Sequence, residues 1–267
     1  LLSLMSRFAT ILGKSADAQG YAARADAMQL AFERHYYNEQ LGHYANGTQT
    51  SSVLPLAFRI TPEANRARIL DHLLGKIENE TKGHIGVGLL GAQWLVRLLS
   101  ETGHTDAAYR MATLETFPSW GYMAKRGGTT IWELWNGDTA DPGMNSGNHL
   151  MLVGDLGAWM HGYLGGIRPD PARPAYEHIL IRPYIPEGLN SVRTTLRSPR
   201  GLIATNWTRS GGTLTLEVTI PPNTEATVTV PGTTVQSSPG ATVVNRNSER
   251  NEYRVGSGHY RFVATGK

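Results

Sequence analysis

A change of hydrophobic period at residues 167–174 constrains the fold of this chain more than any other feature. Before this segment apolar residues recur at three- and four-residue steps, and beyond it they alternate with polar residues, as in TLTLEVTI at residues 213–220. The first pattern indicates amphipathic helices and the second indicates half-buried strands. The segment itself reads IRPDPARP, and its three prolines exclude a continuous helix. We therefore predict a helical domain over residues 1–170 and an antiparallel β-sandwich domain over residues 171–267.

The helical part contains six or seven predicted helices, and their apolar faces need packing partners. Most of them span, in round terms, residues 15–37, 50–58, 63–80, 87–99, 105–115 and 148–164. The last is apolar nearly all round, which predicts a buried helix. Paired apolar helices with chemistry on their connecting loops are typical of an α/α toroid, but six complete pairs need about a dozen helices. The alternatives are a smaller bundle and the second half of an (α/α)6 toroid. Because the sequence opens inside an apolar helix, LLSLMSRFATIL, we expect an upstream segment of the same polypeptide to complete the barrel.

Composition and charge exclude several classes of partner. The 267 residues carry a net charge of +3 without a basic run, so we expect neither a nucleic-acid partner nor an anionic membrane. No stretch approaches the roughly 18 continuous apolar residues of a membrane helix. The absence of cysteine excludes disulfides and thiolate metal sites and leaves the redox compartment open. His35, His43, His84 and His104 lack metal-ligand spacing, and we expect no metal and no cofactor.

A candidate site lies in one aromatic stretch, residues 120–149, which reads WGYMAKRGGTTIWELWNGDTADPGMNSGNH. Trp120, Trp132 and Trp135 surround a single glutamate, Glu133, and His149 follows at the start of the last predicted helix. An aromatic face packs against the C–H face of a sugar ring while a carboxylate transfers protons, so this combination indicates a carbohydrate site. The competing interpretation is that the tryptophans are core residues and that Glu133 is a solvated surface acid.

The surroundings of Glu133 and His149 predict their protonation only in part. Neighbouring tryptophans would raise the pKa of Glu133 by desolvation, whereas Lys125 and Arg126 would lower it, and the sequence does not decide between them. The positive end of the helix dipole disfavours imidazolium at His149, and a neutral imidazole can both donate to and accept from sugar hydroxyls.

Two further carboxylates, Asp138 and Asp141, follow Glu133 closely. They could form a second carboxylate or a calcium site, although an Asp/Pro/Gly loop favours turn chemistry.

These motifs resemble the bacterial α-L-rhamnosidases, a family of inverting glycoside hydrolases with an (α/α)6 barrel followed by a β-sandwich. The resemblance is best over residues 82–232 and is weaker over the first eighty residues. The matching segments are PSWGYM at 118–123, GGTTIWELW at 127–135, NSGNH at 145–149, GDLGAWMHGYLGGIRPDP at 154–171 and TLEVTIPPNTEATVTVPG at 215–232. The resemblance implies release of terminal α-L-rhamnose from glycosides or oligosaccharides.

The resemblance also implies roles for individual residues. Glu133 falls at the family's general base, which activates the attacking water, and His149 falls at a histidine that bonds sugar hydroxyls. Trp132, Trp120 and Asn148 are the further candidates for substrate contact. The family's general acid belongs to an acidic Asp/Arg/Glu motif early in the barrel, and no such motif occurs here, so we expect that acid upstream of this chain.

Two alternatives from other classes remain. One is a polysaccharide lyase on an α/α scaffold, with Tyr122 as catalytic tyrosine and His149 as neutraliser or base, which would require a cluster of Arg or Lys residues around a uronate. The other is a non-catalytic carbohydrate-binding protein.

Overall fold

The computed structural model describes residues 1–247 and 250–266, with the side chains of residues 151–154 left undescribed. Helices occupy the first part of the chain and strands the remainder, as the change of period predicts. The described helices are α1 (Leu2–Ile11), α2 (Ser15–Tyr36), α3 (Gln49–Ala57), α4 (Glu63–Gly75), α5 (Leu89–Glu101), α6 (Thr105–Thr113), α7 (Trp120–Lys125) and α8 (Leu150–Trp159). Helices α4 and α8 each continue into a π-helical turn, at Lys76–Glu80 and Met160–Leu164. A short hairpin, whose strands β1 (Tyr37–Asn38) and β2 (His43–Tyr44) have two residues each, separates α2 from α3.

The core of the helical part forms around α5. This helix packs against α3, α6 and α8, and its buried side chains include Leu95 and Leu99, neither of which is exposed to solvent. Trp159 at the end of α8 is also fully buried, and its indole Nε1 donates to Ser100 Oγ at 2.9 Å. This hydrogen bond satisfies the one polar atom of a large apolar side chain and fixes α8 against the end of α5.

Helix α8 is less covered than its apolar sequence predicts. Leu150 is 77% exposed and Met160 is 45% exposed, while the side chains of residues 151–154, which carried part of the prediction, lie outside the described residues. The expectation of a helix buried on every side is therefore wrong at Leu150 and Met160, although Trp159, Tyr163 and Leu164 are buried. Within the described chain α5 is the main helix packed against α8.

The C-terminal part is a sandwich of two five-stranded sheets. The strand orders are β10-β11-β8-β4-β3 and β5-β6-β7-β12-β9. Apolar side chains from both sheets form one core, which includes Ile181, Trp207 and Phe262, all fully buried. The strands are β3 (Ile167–Pro169), β4 (His178–Ile181), β5 (Ser191–Ser198), β6 (Gly201–Ser210), β7 (Thr213–Ile220), β8 (Glu225–Pro231), β9 (Thr234–Ser237), β10 (Thr242–Arg246), β11 (Arg250–Val255) and β12 (Gly258–Thr265).

One strand pair departs from the antiparallel pattern: β4 runs parallel to β8. Alternation of apolar and polar residues predicts which face of a strand is buried and carries no information on strand direction. The sandwich is joined to the helices through Trp207, whose indole Nε1 donates to the carbonyl of Leu164 at 2.8 Å, and Thr205, which donates to the carbonyl of Gly165.

Candidate active site

Two backbone segments run side by side and bring the predicted site residues together. The amide of Glu133 donates to the carbonyl of Ser146 at 2.9 Å, and the amide of His149 donates to the carbonyl of Ile131 at 2.7 Å. Thr130 adds a side-chain hydrogen bond to the carbonyl of Gly147. Residues 130–133 and 146–149 are therefore held as one unit, although thirteen positions of irregular chain separate Glu133 from Ser146.

The carboxylate of Glu133 is exposed and is oriented by the backbone. Its Oε2 accepts the amide hydrogen of Ser146 at 3.1 Å, which completes a reciprocal pair with the Glu133 amide. The next amide, that of Leu134, donates to Asn145 Oδ1 at 3.1 Å. Sequence reasoning did not assign Asn145 and Ser146 to this role, although both belong to the NSGNH motif. The short polar side chains of Asn145 and Ser146 favour turns that hydrogen-bond neighbouring backbone, and this is the sequence signal for their role.

The two cations near Glu133 in sequence are engaged by other carboxylates. Lys125 pairs with Glu115 at 2.8 Å, and Arg126 Nε donates to Asp138 Oδ2 at 2.7 Å. Asp138 also accepts the phenolic hydrogen of Tyr122, whose oxygen lies 3.1 Å from Oδ2. The Arg126 guanidinium, followed by the Tyr122 hydroxyl, holds the pKa of the Asp138 carboxyl below its ordinary value. Asp138 is thus a structural anion that ties the segment after Glu133 to the end of α7.

Asp141 has a turn-forming role. Its Oδ1 accepts the amide hydrogen of Gly143 at 2.8 Å, which is an Asx turn. Over residues 1–247 and 250–266 no cluster of three His, Cys, Asp or Glu side chains is arranged to hold a metal ion.

The three tryptophans occupy different environments. Trp120 is 5% exposed and packs edge-on against Trp135 with ring centroids 5.3 Å apart, and both contribute to the helical core. Trp135 Nε1 donates to the carbonyl of Val87 at 3.0 Å, immediately before α5. Both rings therefore pack into or against the helical core, and the burial of Trp120 favours a supporting position over direct contact with a ligand.

Trp132 lies half-buried on the same segment as Glu133. Gly137 packs directly on it, since a Cβ added at Gly137 would lie 2.6 Å from the Trp132 side chain. A side chain at position 137 would therefore displace the indole. Gly128 also approaches closely, with 3.2 Å between its added Cβ and the ring.

His149 is the N-cap residue of α8, where the sequence places it. Its ring is half-buried, and its Nδ1 is shielded from solvent without a hydrogen-bond partner among the described residues. Asn148 is exposed, and its amide donates to Ser146 Oγ at 3.3 Å. The described residues therefore leave one buried polar atom of His149 unsatisfied, on the segment that is paired with residues 130–133.

Comparison with known proteins agrees with the motifs. Residues 1–164 match the family model described as the bacterial alpha-L-rhamnosidase 6 hairpin glycosidase domain, and residues 166–245 match the bacterial alpha-L-rhamnosidase C-terminal domain. Proteins named alpha-L-rhamnosidase from Streptomyces avermitilis and Formosa agariphila are each 37% identical, over 97% and 85% of this chain. The chain spans about a quarter of the length of these curated relatives, 25% in both cases.

Solved structures give the same result. The alpha-L-rhamnosidase of Streptomyces avermitilis complexed with L-rhamnose superposes with a TM-score of 0.91 at 36% identity, over 99% of this chain and 26% of that one. The alpha-L-rhamnosidase from Dictyoglumus thermophilum gives a TM-score of 0.89 at 29% identity, over 99% of this chain and 30% of that one.

None of the helices in the described ranges combines the length and apolar character required of a membrane span. Because the helical family model alone matches residues 1–164 of the 267, the chain belongs to the bacterial alpha-L-rhamnosidase family.

Proposed function

We propose that the polypeptide containing this chain is a glycoside hydrolase that releases terminal α-L-rhamnose from glycosides or oligosaccharides by an inverting mechanism. The observation that carries the proposal is the pairing of residues 131–133 with 146–149, which holds the exposed Glu133 carboxylate and the His149 imidazole on adjacent strands of backbone. Family membership supports the substrate class.

Glu133 acts as the general base in this proposal. An inverting hydrolase needs one ionised carboxylate to accept a proton from water, and one carboxylic acid to protonate the leaving oxygen about 6.5–9.5 Å away. The Ser146 amide donates to Oε2 of Glu133 and orients the carboxylate, and no described residue donates to Oε1, which can accept from a water molecule. The Glu133 carboxylate is therefore oriented by a backbone amide and forms no salt bridge with a described residue.

The sugar would contact His149, Trp132 and Asn148. The half-buried imidazole of His149 supplies a hydrogen bond, the half-buried indole of Trp132 supplies an apolar face, and Asn148 is exposed. Trp120 remains a predicted substrate residue, but its burial supports an indirect contribution through Trp135.

The remaining half of the catalytic pair belongs to an upstream segment of the same polypeptide in this proposal. The described chain spans about a quarter of its relatives, and several apolar side chains of α1 and α8 are exposed, which supports additional helices packing there. The division into a barrel segment at residues 1–170 and a sandwich at residues 171–267 is part of the same proposal.

The lyase alternative receives less support. Desolvation, and then hydrogen bonding to Asp138, raises the pKa of Tyr122, which disfavours the ionised tyrosine as a catalytic group. The hydroxyl is also already engaged by the Asp138 carboxylate.

The experiment is an activity assay of the complete polypeptide on an aryl α-L-rhamnoside, with the anomeric form of the released sugar followed by NMR. We expect rapid release of rhamnose with inverted configuration. Retained configuration would contradict the mechanism. A product absorbing in the ultraviolet from a uronate polymer would favour the lyase, and binding of rhamnosides without cleavage would favour a non-catalytic carbohydrate-binding protein.

A further inference from the structure

A cleft lies between the C-terminal end of α5 and the sandwich, whereas the segment that carries Glu133 lies at the N-terminal end of α5. It has a volume of about 750 Å³, within the range of small-molecule sites, and its polar lining includes Glu101, Asp106, Arg182, Thr229 and Arg250. The indole of Trp135 donates a hydrogen bond to the carbonyl of Val87, just before α5 begins, whereas the cleft lies where α5 ends. Thirteen helical residues span roughly 20 Å at 1.5 Å per residue, so the cleft and the Glu133 segment are separate places.

Arg182 is the feature of this cleft that requires explanation. Its guanidinium lies over the ring of Tyr184 at 5.0 Å, and no described residue accepts a hydrogen bond from it or forms a salt bridge with it. Burial lowers the pKa of Arg182, and the nearby cations Arg250 and Arg168 act in the same direction, while Tyr184 and the Glu252 carboxylate oppose the shift only in part. A partly buried cation beside another cation is costly unless an anion accompanies it.

The acidic residues of the cleft do not neutralise Arg182. Glu101 already accepts the hydroxyl of Tyr163 at 2.6 Å and lies 3.6 Å from Arg168. Asp106 accepts the amide hydrogen of Glu187 at 2.7 Å. Each carboxylate keeps further lone pairs, which can accept hydrogens from hydroxyl groups.

The lining therefore fits a ligand that carries one carboxylate and several hydroxyls. Guanidinium groups bind a carboxylate in bidentate geometry, and the remaining acids and threonines suit hydroxyl groups better than a densely charged anion. We propose that this cleft binds a uronic-acid unit of a saccharide, with Arg182 and Arg250 receiving its carboxylate. The site goes beyond the proposed hydrolysis and does not depend on it.

The experiment is calorimetric titration of the complete polypeptide with methyl β-D-glucuronide, using methyl β-D-glucoside and inorganic phosphate as the comparison probes. The titration is repeated with saturating L-rhamnose, which occupies a rhamnose site if one exists. Arg182→Gln and Arg250→Gln remove the two cations. Arg254→Gln is the matched control, because Arg254 lies on β11 together with Arg250, is exposed and does not line the cleft. Near-ultraviolet circular dichroism checks the fold of each variant.

We expect the glucuronide to bind and the glucoside to bind at least tenfold more weakly, with binding weakened by salt. Saturating rhamnose should leave the affinity unchanged, Arg182→Gln should reduce it at least tenfold, and Arg254→Gln should leave it within twofold. Equal binding of glucoside, competition by rhamnose, or an equal loss in Arg254→Gln would overturn the assignment, as would binding of phosphate alone. Hydrolysis of the aryl rhamnoside is measured separately, so failure of the proposed function would leave this result interpretable.

Discussion

At the scale of single residues, the site depends on backbone hydrogen bonds that orient Glu133. Glu133→Gln keeps an oxygen that can accept the Ser146 amide hydrogen but removes the basicity of the carboxylate. We expect kcat to fall at least about 100-fold, the usual contribution of a positioned base, with an unchanged circular dichroism spectrum. Glu115→Gln is the control, since Glu115 is an exposed carboxylate whose partner is Lys125. Turnover of the Glu133 variant within threefold of wild type would remove this residue from the mechanism.

His149 is expected to act through binding. His149→Ala should weaken affinity for L-rhamnose by roughly 1–3 kcal/mol, because sugar hydroxyls would lose their partner in the site. His104→Ala is a matched control, since His104 is the N-cap of α6 as His149 is of α8. Calorimetry measures the affinity of both variants. An unchanged affinity in His149→Ala would make the histidine structural.

The sequence alone predicts which residues are candidates but not how each is used. Aromatic residues around Glu133 have the same composition whether they line a pocket or form a core, and the structure separates buried Trp120 from half-buried Trp132. Sequence proximity also suggests that Arg126 acts on Glu133, whereas the fold directs it to Asp138. Such pairings depend on the path of an irregular loop, which hydrophobic periodicity does not specify.

At the scale of elements, the loop after Glu133 is attached to α7 by Arg126, Asp138 and Tyr122. Asp138→Asn removes the charge that both partners bind, so the loop carrying Trp132 and Glu133 should lose its fixed position. We expect kcat/KM on an aryl rhamnoside to fall roughly 10- to 100-fold, as small misplacements of catalytic groups do. Lys125→Met is the control, because the exposed Lys125–Glu115 pair should contribute little, and its activity should stay within twofold. Equal effects of the two substitutions would refute the attachment.

The pH dependence of this contact follows from the direction of the Asp138 shift. Because the pKa of Asp138 is lowered in the folded protein, its contribution is complete above the ordinary value of about 3.9 and is lost as pH falls through the lower, folded value. The defect of Asp138→Asn should therefore be the same at weakly acidic and neutral pH. A defect that appears only above neutral pH would assign the effect to another group.

Periodicity predicts the elements themselves well where they are regular. The strand over residues 213–220 and the helix containing Leu95 and Leu99 are both confirmed. The π-helical turns at the ends of α4 and α8 and the parallel β4–β8 pair have no counterpart in a 3.6 or 2 period, because they arise from tertiary packing.

At the scale of the whole molecule, the two parts differ in how completely they cover their apolar surface. The sandwich has its own core, built from both sheets. In the helical part large apolar side chains remain exposed, including Leu4 at 53%, Phe8 at 53%, Ile11 at 71% and Leu150 at 77%. At about 25 cal/mol per Å² of apolar surface, leaving a few hundred Å² uncovered costs several kcal/mol, comparable to the roughly 5–15 kcal/mol stability of a domain.

We therefore expect residues 1–267 alone to fold in the sandwich and to be partly molten in the helices, without competent hydrolysis. A polypeptide of residues 161–267 should unfold in one cooperative transition, because it keeps β3 and the hydrogen bond from Trp207 to Leu164. Residues 176–267 lack both and should be less stable. Thermal unfolding followed by near-ultraviolet circular dichroism, together with turnover of an aryl rhamnoside, compares these polypeptides with the complete one. Fixed tertiary signal and full turnover from residues 1–267 would mean that the general acid lies inside this chain, and Asp138 and Asp141 would be the first carboxylates to replace.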